Sequence, residues 1–231
     1  MNKVVRVNEF DRLVGVIQTH KTIECGEGES ILDVGCGVGD YTPMFLKKFK
    51  KVVGIDPSEK FIKQARKQNK KVDYRVSYGE TFKTDEKFDT INMTMLLEHV
   101  DNPVSLLKHL KKYLAPMGRI IIHVPNSNSI TRRLGVLMGI IPSLSHISKK
   151  EKDFYGHKRV YNLSSLIKDC EKADFYDIEF GGILYKPLPN KDLWTLCKKN
   201  GNKWTRDFLI ALDKFGEGRE DECANIYVVC N

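Results

Sequence analysis

Residues 30–43 read Ser-Ile-Leu-Asp-Val-Gly-Cys-Gly-Val-Gly-Asp-Tyr-Thr-Pro, with three glycines at alternate positions directly after an apolar run, and this stretch limits the fold more than any other. Residues 31–34 have the make-up of a buried strand, and Thr42-Pro43 reads as an N-cap followed by a first-turn proline. The order is strand, tight turn, helix. Glycine is needed where the backbone turns with positive φ, or where it touches a ligand that any Cβ would strike, so a ligand is expected over this turn. A dinucleotide fingerprint begun at Gly37 requires glycine at 39 and at 42, and residue 42 is Thr. What remains is an acidic residue, Asp33, ahead of Gly35, Gly37 and Gly39, and a second apolar run, residues 52–55, that ends in Asp56. A carboxylate at the tip of the second strand of a βαβ unit can take two ribose hydroxyls. That suits any adenosine-type cofactor, and Asp33 and Asp56 together tolerate a cationic one.

On these residues the chain resembles the class I S-adenosylmethionine-dependent methyltransferases, of the small-molecule subgroup. Residues 31–39 look like the first motif of that family, and Gly54-Ile55-Asp56-Pro57-Ser58 looks like its second. Phe88-Asp89-Thr90-Ile91 with Leu96-Leu97-Glu98-His99-Val100 is similar to its fourth-strand region, and residues 114–119 to the turn before its fifth. The matches run in the family's order across about residues 30–126. The resemblance implies a doubly wound, seven-stranded, mostly parallel Rossmann-like sheet and S-adenosylmethionine as cofactor. It implies cofactor contacts from Asp33, Gly35, Gly37, Gly39, Asp56 and Pro57, an adenine loop at Glu80, Thr81 and Phe82, and a methionine-end lining at Thr94 and Met95. In the family, the pair corresponding to Glu98 and His99 more often positions the loop than performs the chemistry.

The 231 residues suit one domain: a leading helix and cap (1–29), a cofactor-binding half (30–126), an insertion (127–161) and the rest of the sheet (162–231). Phe10, Leu13, Val14 and Ile17 mark an amphipathic helix over residues 7–20, and Ser58 caps another. A helix from Asn102-Pro103 is expected to bury Val104, Leu107, Leu110 and Leu114, and residues 119–124 form a central strand. Later, a helix is expected to bury Trp204, Phe208, Ala211, Leu212 and Phe215, and a last strand covers residues 225–230. No run approaches the roughly 20 apolar residues of a membrane span, and residues 1–6 lack the apolar core of a signal peptide. A cytoplasmic protein is expected, monomeric or homodimeric. Six cysteines without a C-x-x-C pair read as free thiols, and the net charge of +8 as solvated helix faces.

The insertion between strand five and the next helix is too long for a plain connection and reads as a helical substrate lid. It follows Asn126, contains Arg132 and Arg133, and ends in Tyr155-Gly156-His157-Lys158-Arg159. Methyl transfer from a sulfonium is an in-line displacement, and a hydroxyl acceptor must also lose a proton. Histidine, with a pKa of about 6.5, suits that task. Among the six histidines, His109 is read as solvated, His123 as a core residue, and His157 as the base or substrate contact because of its polar neighbours. Asn126, Arg132, Arg133, Tyr155, Lys158 and Arg159 are the expected substrate contacts, the cations holding a phosphate or carboxylate. A small, phosphorylated or sugar-type hydroxyl acceptor is therefore expected, with an amine less favoured. An RNA substrate has the positive charge in its favour but no RNA-binding module, and a non-catalytic cofactor-binding partner is the other rival. Asn92-Met93-Thr94-Met95 excludes the amino-methylating DNA enzymes, and no nucleophilic cysteine stands there for cytosine C5 chemistry. With only Asp101 acidic near that edge, no metal is expected.

Overall fold

The structure, a computed structural model, describes residues 9–231; the expectation about residues 1–6 lies outside them. Short β-branched runs bounded by turns supply the strands of a seven-stranded sheet. They are β1 (Ser30–Val34), β2 (Lys51–Asp56), β3 (Asp73–Val76), β4 (Phe88–Thr94), β5 (Leu114–Pro125), β6 (Ile178–Ile183) and β7 (Asn225–Cys230). The spatial order is β3-β2-β1-β4-β5-β7-β6. The pairs among β1 to β5 are parallel, and β7 runs antiparallel to both β5 and β6. Strand order reverses between β1 and β4, where ligands of doubly wound sheets bind beyond the carboxyl ends of the strands.

The helices are α1 (Glu9–Cys25), α2 (Glu59–Gln68), α3 (Pro103–Lys111), α4 (Ile130–Leu137), α5 (Leu163–Lys172) and α6 (Asn190–Phe215). Alternation along each strand sends side chains to both faces, and both faces are covered. Leu32, Val34, Ile91 and Ile122 pack with Leu106, Leu107 and Leu110 of α3 and with Leu166 of α5. Ile31 and Val52 join Phe45, Phe49 and Ile62 in a second cluster. Phe10 of α1 meets Leu193, Cys197 and Leu209 of α6 in a third, against which Leu13, Val14 and Ile17 lie partly buried. The leading helix docks α6 through these residues, but apart from Phe10 its fully buried positions are Gly15, Gln18, Thr19 and Thr22 rather than the expected apolar stripe.

Local chemistry departs from the sequence reading in four places. The glycine turn leads into a 3-10 turn, Thr42–Lys47, rather than an α-helix, and Thr42 does not cap it; its hydroxyl donates instead to Asp33 at 2.6 Å. Strand β5 starts at Leu114, which therefore leaves α3, and bends at Met117, where φ is 62°. Helix α6 starts at Asn190 and breaks at Gly201. Its buried face is Leu193, Cys197, Thr205 and Leu209, while Trp204 stacks on Phe208 with ring centroids 4.6 Å apart and Phe215 is exposed. His109 is half-buried rather than freely solvated, its Nε2 lying 2.8 Å from the Phe82 carbonyl. The insertion carries α4 and a π-helical turn, Glu151–Tyr155, and α5 opens on a capping box between Asn162 and Ser165. All six cysteines are free. Among the described residues no helix is long and apolar enough to cross a membrane.

The glycine turn is also tightly packed from outside. At Gly39 φ is +77°, and a Cβ would stand 2.6 Å from the Tyr74 hydroxyl and 2.9 Å from Ala65 Cβ. Gly39→Ala is expected to lower stability by about 1–3 kcal/mol. An unchanged denaturation midpoint would contradict this packing.

Candidate active site

A cavity of about 530 Å³ opens at the carboxyl ends of β1 and β4, within the size range of small-molecule sites. The turn after β1 forms one wall through Gly35, Cys36, Gly37 and Val38, and α1 forms another through Asp11, Val14, Gly15, Gln18 and Thr19. The β1 turn is held to β2 by backbone: Gly35 and Cys36 N–H donate to the Ile55 carbonyl at 2.8 and 3.0 Å. Asp56 completes the link, its Oδ2 accepting from Gly37 N–H at 3.1 Å and its Oδ1 from Ser58 N–H at 2.8 Å. Burial raises the Asp56 pKa against these two donors. Gly37 has φ +55°, and a Cβ placed there would meet nothing within 4 Å. That open space lies on the cavity side, so the turn leaves room for a ligand to lie against the backbone, with Asp33, Asp40 and Asp56 close by to suit a cation. This fits S-adenosylmethionine.

Below the turn runs a buried polar chain. Asp33 is 7% exposed, and its oxygens accept from Thr42 Oγ1 at 2.6 Å and from Asn92 Nδ2 at 2.8 Å. Burial raises its pKa, and these two hydrogen bonds oppose the rise. The Asn92 carbonyl accepts from Thr22 at 2.9 Å and Thr94 at 3.1 Å. Thr22 Oγ1 also lies 2.9 Å from His123 Nε2. Because Thr22 gives its proton to Asn92, Nε2 carries the histidine proton and Nδ1 is bare, in keeping with the absence of a partner for Nδ1 among the described residues. Burial pushes the His123 pKa down to about 3, so the ring is neutral. His123 is thus a core residue that ties α1 to β4 and β5.

Beyond β4 the chain turns at Met95 with φ 54°, a sparsely populated conformation for a side-chain-bearing residue. Its N–H donates to the His123 carbonyl at 2.8 Å, and Gln18 of α1 reaches its sulfur at 3.4 Å. Thr94 and Met95 line the cavity, together with Glu98, His99, Tyr155 and His157. Glu98 is 1% exposed, and neither carboxylate oxygen has a hydrogen-bond partner among the described residues; burial pushes its pKa up to about 8. The His99 and His157 rings meet edge to face at 4.9 Å. Burial lowers both pKa values, and His99 lowers that of His157 further. Lys158 N–H donates to the Glu98 carbonyl at 2.8 Å, fixing the insertion against this corner.

Other expected contacts fall elsewhere. Pro57, Glu80 and Thr81 are exposed and lie outside the cavity lining, and the Phe82 ring is buried edge-on to Tyr113 at 5.4 Å. The Asn126 amide donates to the Asp221 and Cys223 carbonyls at 2.8 and 2.9 Å, so it staples the insertion rather than facing a substrate. Nor do the four cations converge. Arg132 bonds Glu151 at 3.0 Å and Leu144 O at 3.1 Å, and Arg133 bonds Glu222 at 2.9 Å. Lys158 pairs with Asp101 at 2.5 Å, and Arg159 donates to the Asp101 carbonyl at 3.0 Å. Each cation already has a partner, and the expectation of an anion cradle receives no support. Sequence reasoning also missed Asn92, Gln18, Lys186 and Asn190. Burial pulls the Lys186 pKa down to about 8, and Lys186, Asn190 and Asp11 form a chain along the wall. A lysine followed by Pro-Leu-Pro carries no signal for this, since α1 and α6 become neighbours only in the fold.

A protein-family model described as "Methyltransferase domain" matches residues 12–179. A ubiquinone biosynthesis O-methyltransferase of Idiomarina loihiensis is 29% identical over 193 residues, covering 81% of this chain and 75% of that protein. The mitochondrial enzyme of that name from Schizosaccharomyces pombe is 24% identical, covering 85% and 72%. Among solved structures, a SAM-dependent methyltransferase of Thermotoga maritima superposes with a TM-score of 0.65 at 22% identity, over 98% of this chain and 95% of that one. A Haemonchus contortus phosphoethanolamine N-methyltransferase in complex with S-adenosyl-L-methionine superposes with a TM-score of 0.61 at 17% identity, over 92% and 51%.

Thr42→Val removes the hydroxyl donor from a buried carboxylate and is expected to cost about 1–3 kcal/mol. Thermal unfolding checks it, and a wild-type transition would mean that Asp33 does not depend on this bond.

Proposed function

Since the chain belongs to the S-adenosylmethionine-dependent methyltransferases and uses S-adenosylmethionine as its methyl donor, we propose that it methylates a hydroxyl of a small, mostly apolar acceptor. The bound sulfonium supplies a methyl group open to in-line attack. Gly35, Gly37 and Asp56 are suited to hold the nucleoside, and Thr94 and Met95 the methionine portion. Residues 127–161 act as the cover of the acceptor end, into which they bring Tyr155 and His157.

The observation that carries the hydroxyl reading is the meeting of Glu98, His99 and His157 in the same cavity as the glycine turn. An amine attacks with a free lone pair, whereas a hydroxyl must give up a proton, and this corner gathers groups that can accept or polarise one. The relatives of Idiomarina loihiensis and Schizosaccharomyces pombe are named O-methyltransferases, which supports oxygen as the acceptor atom. Val14, Phe45, Met95, Pro125 and Tyr155 give the cavity an apolar wall, and the insertion's cations are engaged elsewhere. Both points favour an apolar acceptor such as a phenol over a phosphorylated or sugar-type one.

Incubation with methyl-labelled S-adenosylmethionine and a panel of phenols, sugar phosphates and amines tests the assignment. Label is expected on a phenolic oxygen, and transfer confined to amines would overturn the reading. Asp56→Ala is expected to weaken S-adenosylhomocysteine binding about 10- to 100-fold, as loss of a hydrogen bond to a charged group implies. Calorimetry giving wild-type affinity would remove Asp56 from the cofactor site.

A further inference from the structure

We propose that Glu98, His99 and His157 form a site for one divalent transition-type cation of the zinc class, and that this ion receives the acceptor hydroxyl. The strongest argument is the state of Glu98. Its carboxylate is 1% exposed, and among the described residues neither oxygen has a hydrogen-bond partner. The nearest imidazole nitrogen, His99 Nε2, is 3.8 Å from Oε1, beyond hydrogen-bonding distance. A buried carboxyl with no donor either keeps its proton or pairs with a cation, and a cation held beside it releases that proton. One ligand atom from each of the three residues lies within 4.8 Å of the others. A zinc-type ion holds nitrogen and oxygen ligands at about 2.0–2.2 Å, which puts them within about 4.4 Å of one another, so small side-chain rotations complete the site.

The donor set selects the class of ion. Two imidazoles and one carboxylate suit Zn²⁺, Co²⁺ or Fe²⁺, whereas Mg²⁺ and Ca²⁺ prefer oxygen ligands throughout. Three protein ligands leave coordination positions open, the pattern of a catalytic rather than a structural site. Here all three residues line the cavity that holds the glycine turn, beside Thr94, Met95 and Tyr155. The backbone is built to hold them. Glu98 and His99 are consecutive on the 3-10 turn Leu97–His99, and Gly156, with φ +79°, turns the insertion so that His157 faces them. The Lys158 N–H to Glu98 carbonyl bond at 2.8 Å joins the two segments beside the ligands.

The role of the ion rests on the methyltransferase reading, but the site does not. A hydroxyl coordinated to a divalent ion loses its proton to water more readily. Its oxygen then forms the O–CH₃ bond as the C–S bond breaks, the electron pair passing to sulfur. His157 is on this account a ligand rather than the free base that the sequence suggests.

The full chain, stripped with a chelator, is titrated with Zn²⁺ by calorimetry and with Co²⁺ by visible absorption. A single bound ion is expected, with affinity reduced about 100-fold or more in Glu98→Gln and in His157→Ala. His146→Ala, in the same insertion, is expected to leave affinity unchanged. S-adenosylhomocysteine binding, measured on the same samples, reports separately on folding and on the cofactor site. Protein that binds S-adenosylhomocysteine but neither ion, or that takes up the ions equally well in Glu98→Gln and His157→Ala, overturns the proposal. Ion binding that depends on both residues supports the site even where S-adenosylhomocysteine fails to bind, an outcome that would count against the methyltransferase reading alone. Turnover that survives chelation in protein shown to have lost the ion would overturn the role in activating the acceptor.

Discussion

Asp33 is a carboxylate almost shut off from water at the end of the strand on which the cofactor turn is built, and the rest of the site depends on how it is satisfied. Thr42 and Asn92 each give one oxygen a proton donor. The cost of burying an unpaired charge would otherwise exceed what the neighbouring apolar packing returns. Each donor also does a second job. Thr42 fixes the departure of the chain into its 3-10 turn, and Asn92 passes the bond on to Thr22 and from there to His123. One buried charge thereby sets the relative positions of β1, β4, β5 and the roof helix α1, which together make three sides of the cavity.

The cofactor half was legible because its signals are local. Glycines at 35, 37 and 39 and an aspartate at each of two strand tips constrain backbone within a few residues of themselves, and the β-branched runs declare their strands by composition. Even there, the two-residue signal Thr42-Pro43 was misread. A threonine ahead of proline is an N-cap by default, but a buried carboxylate nine residues earlier is a better acceptor for its hydroxyl than the first turn is a donor. Tertiary electrostatics overrode local propensity.

The acceptor half was poorly legible for the opposite reason, since its chemistry is assembled from distant segments. Glu98 and His99 look like ordinary residues of a turn, and His157 stands 58 positions beyond His99 in a segment with little periodicity; the parallel bridge Asn126 to Tyr161, the Lys158 bond to Glu98 and the contacts of Lys158 and Arg159 with Asp101 bring that segment back beside the end of β4. The cluster of basic residues around it suggested an anion site. Sequence shows where cations are, but not which carboxylates and carbonyls will claim them, and here Glu151, Glu222 and Asp101 do so. The same limit hid Lys186, which meets Asn190 four residues on, because the chain continues from Asn190 to Asp11 of α1, remote in sequence.

The cavity's charges answer two opposed demands. A cationic cofactor is held well by nearby carboxylates, yet its positive charge disappears as the methyl leaves, so undiluted negative charge at the sulfur would favour the reactant over the transition state. The structure resolves this by giving its acidic groups to neutral donors. Asp56 accepts from two backbone N–H groups and Asp33 from an amide and a hydroxyl, so each is partly discharged before any ligand arrives. Glu98 is the exception, buried without a hydrogen-bond partner among the described residues and set beside His99 and His157. Burial with no donor holds Glu98 toward its neutral form, so its charge is muted by a proton where that of Asp33 and Asp56 is muted by hydrogen bonds.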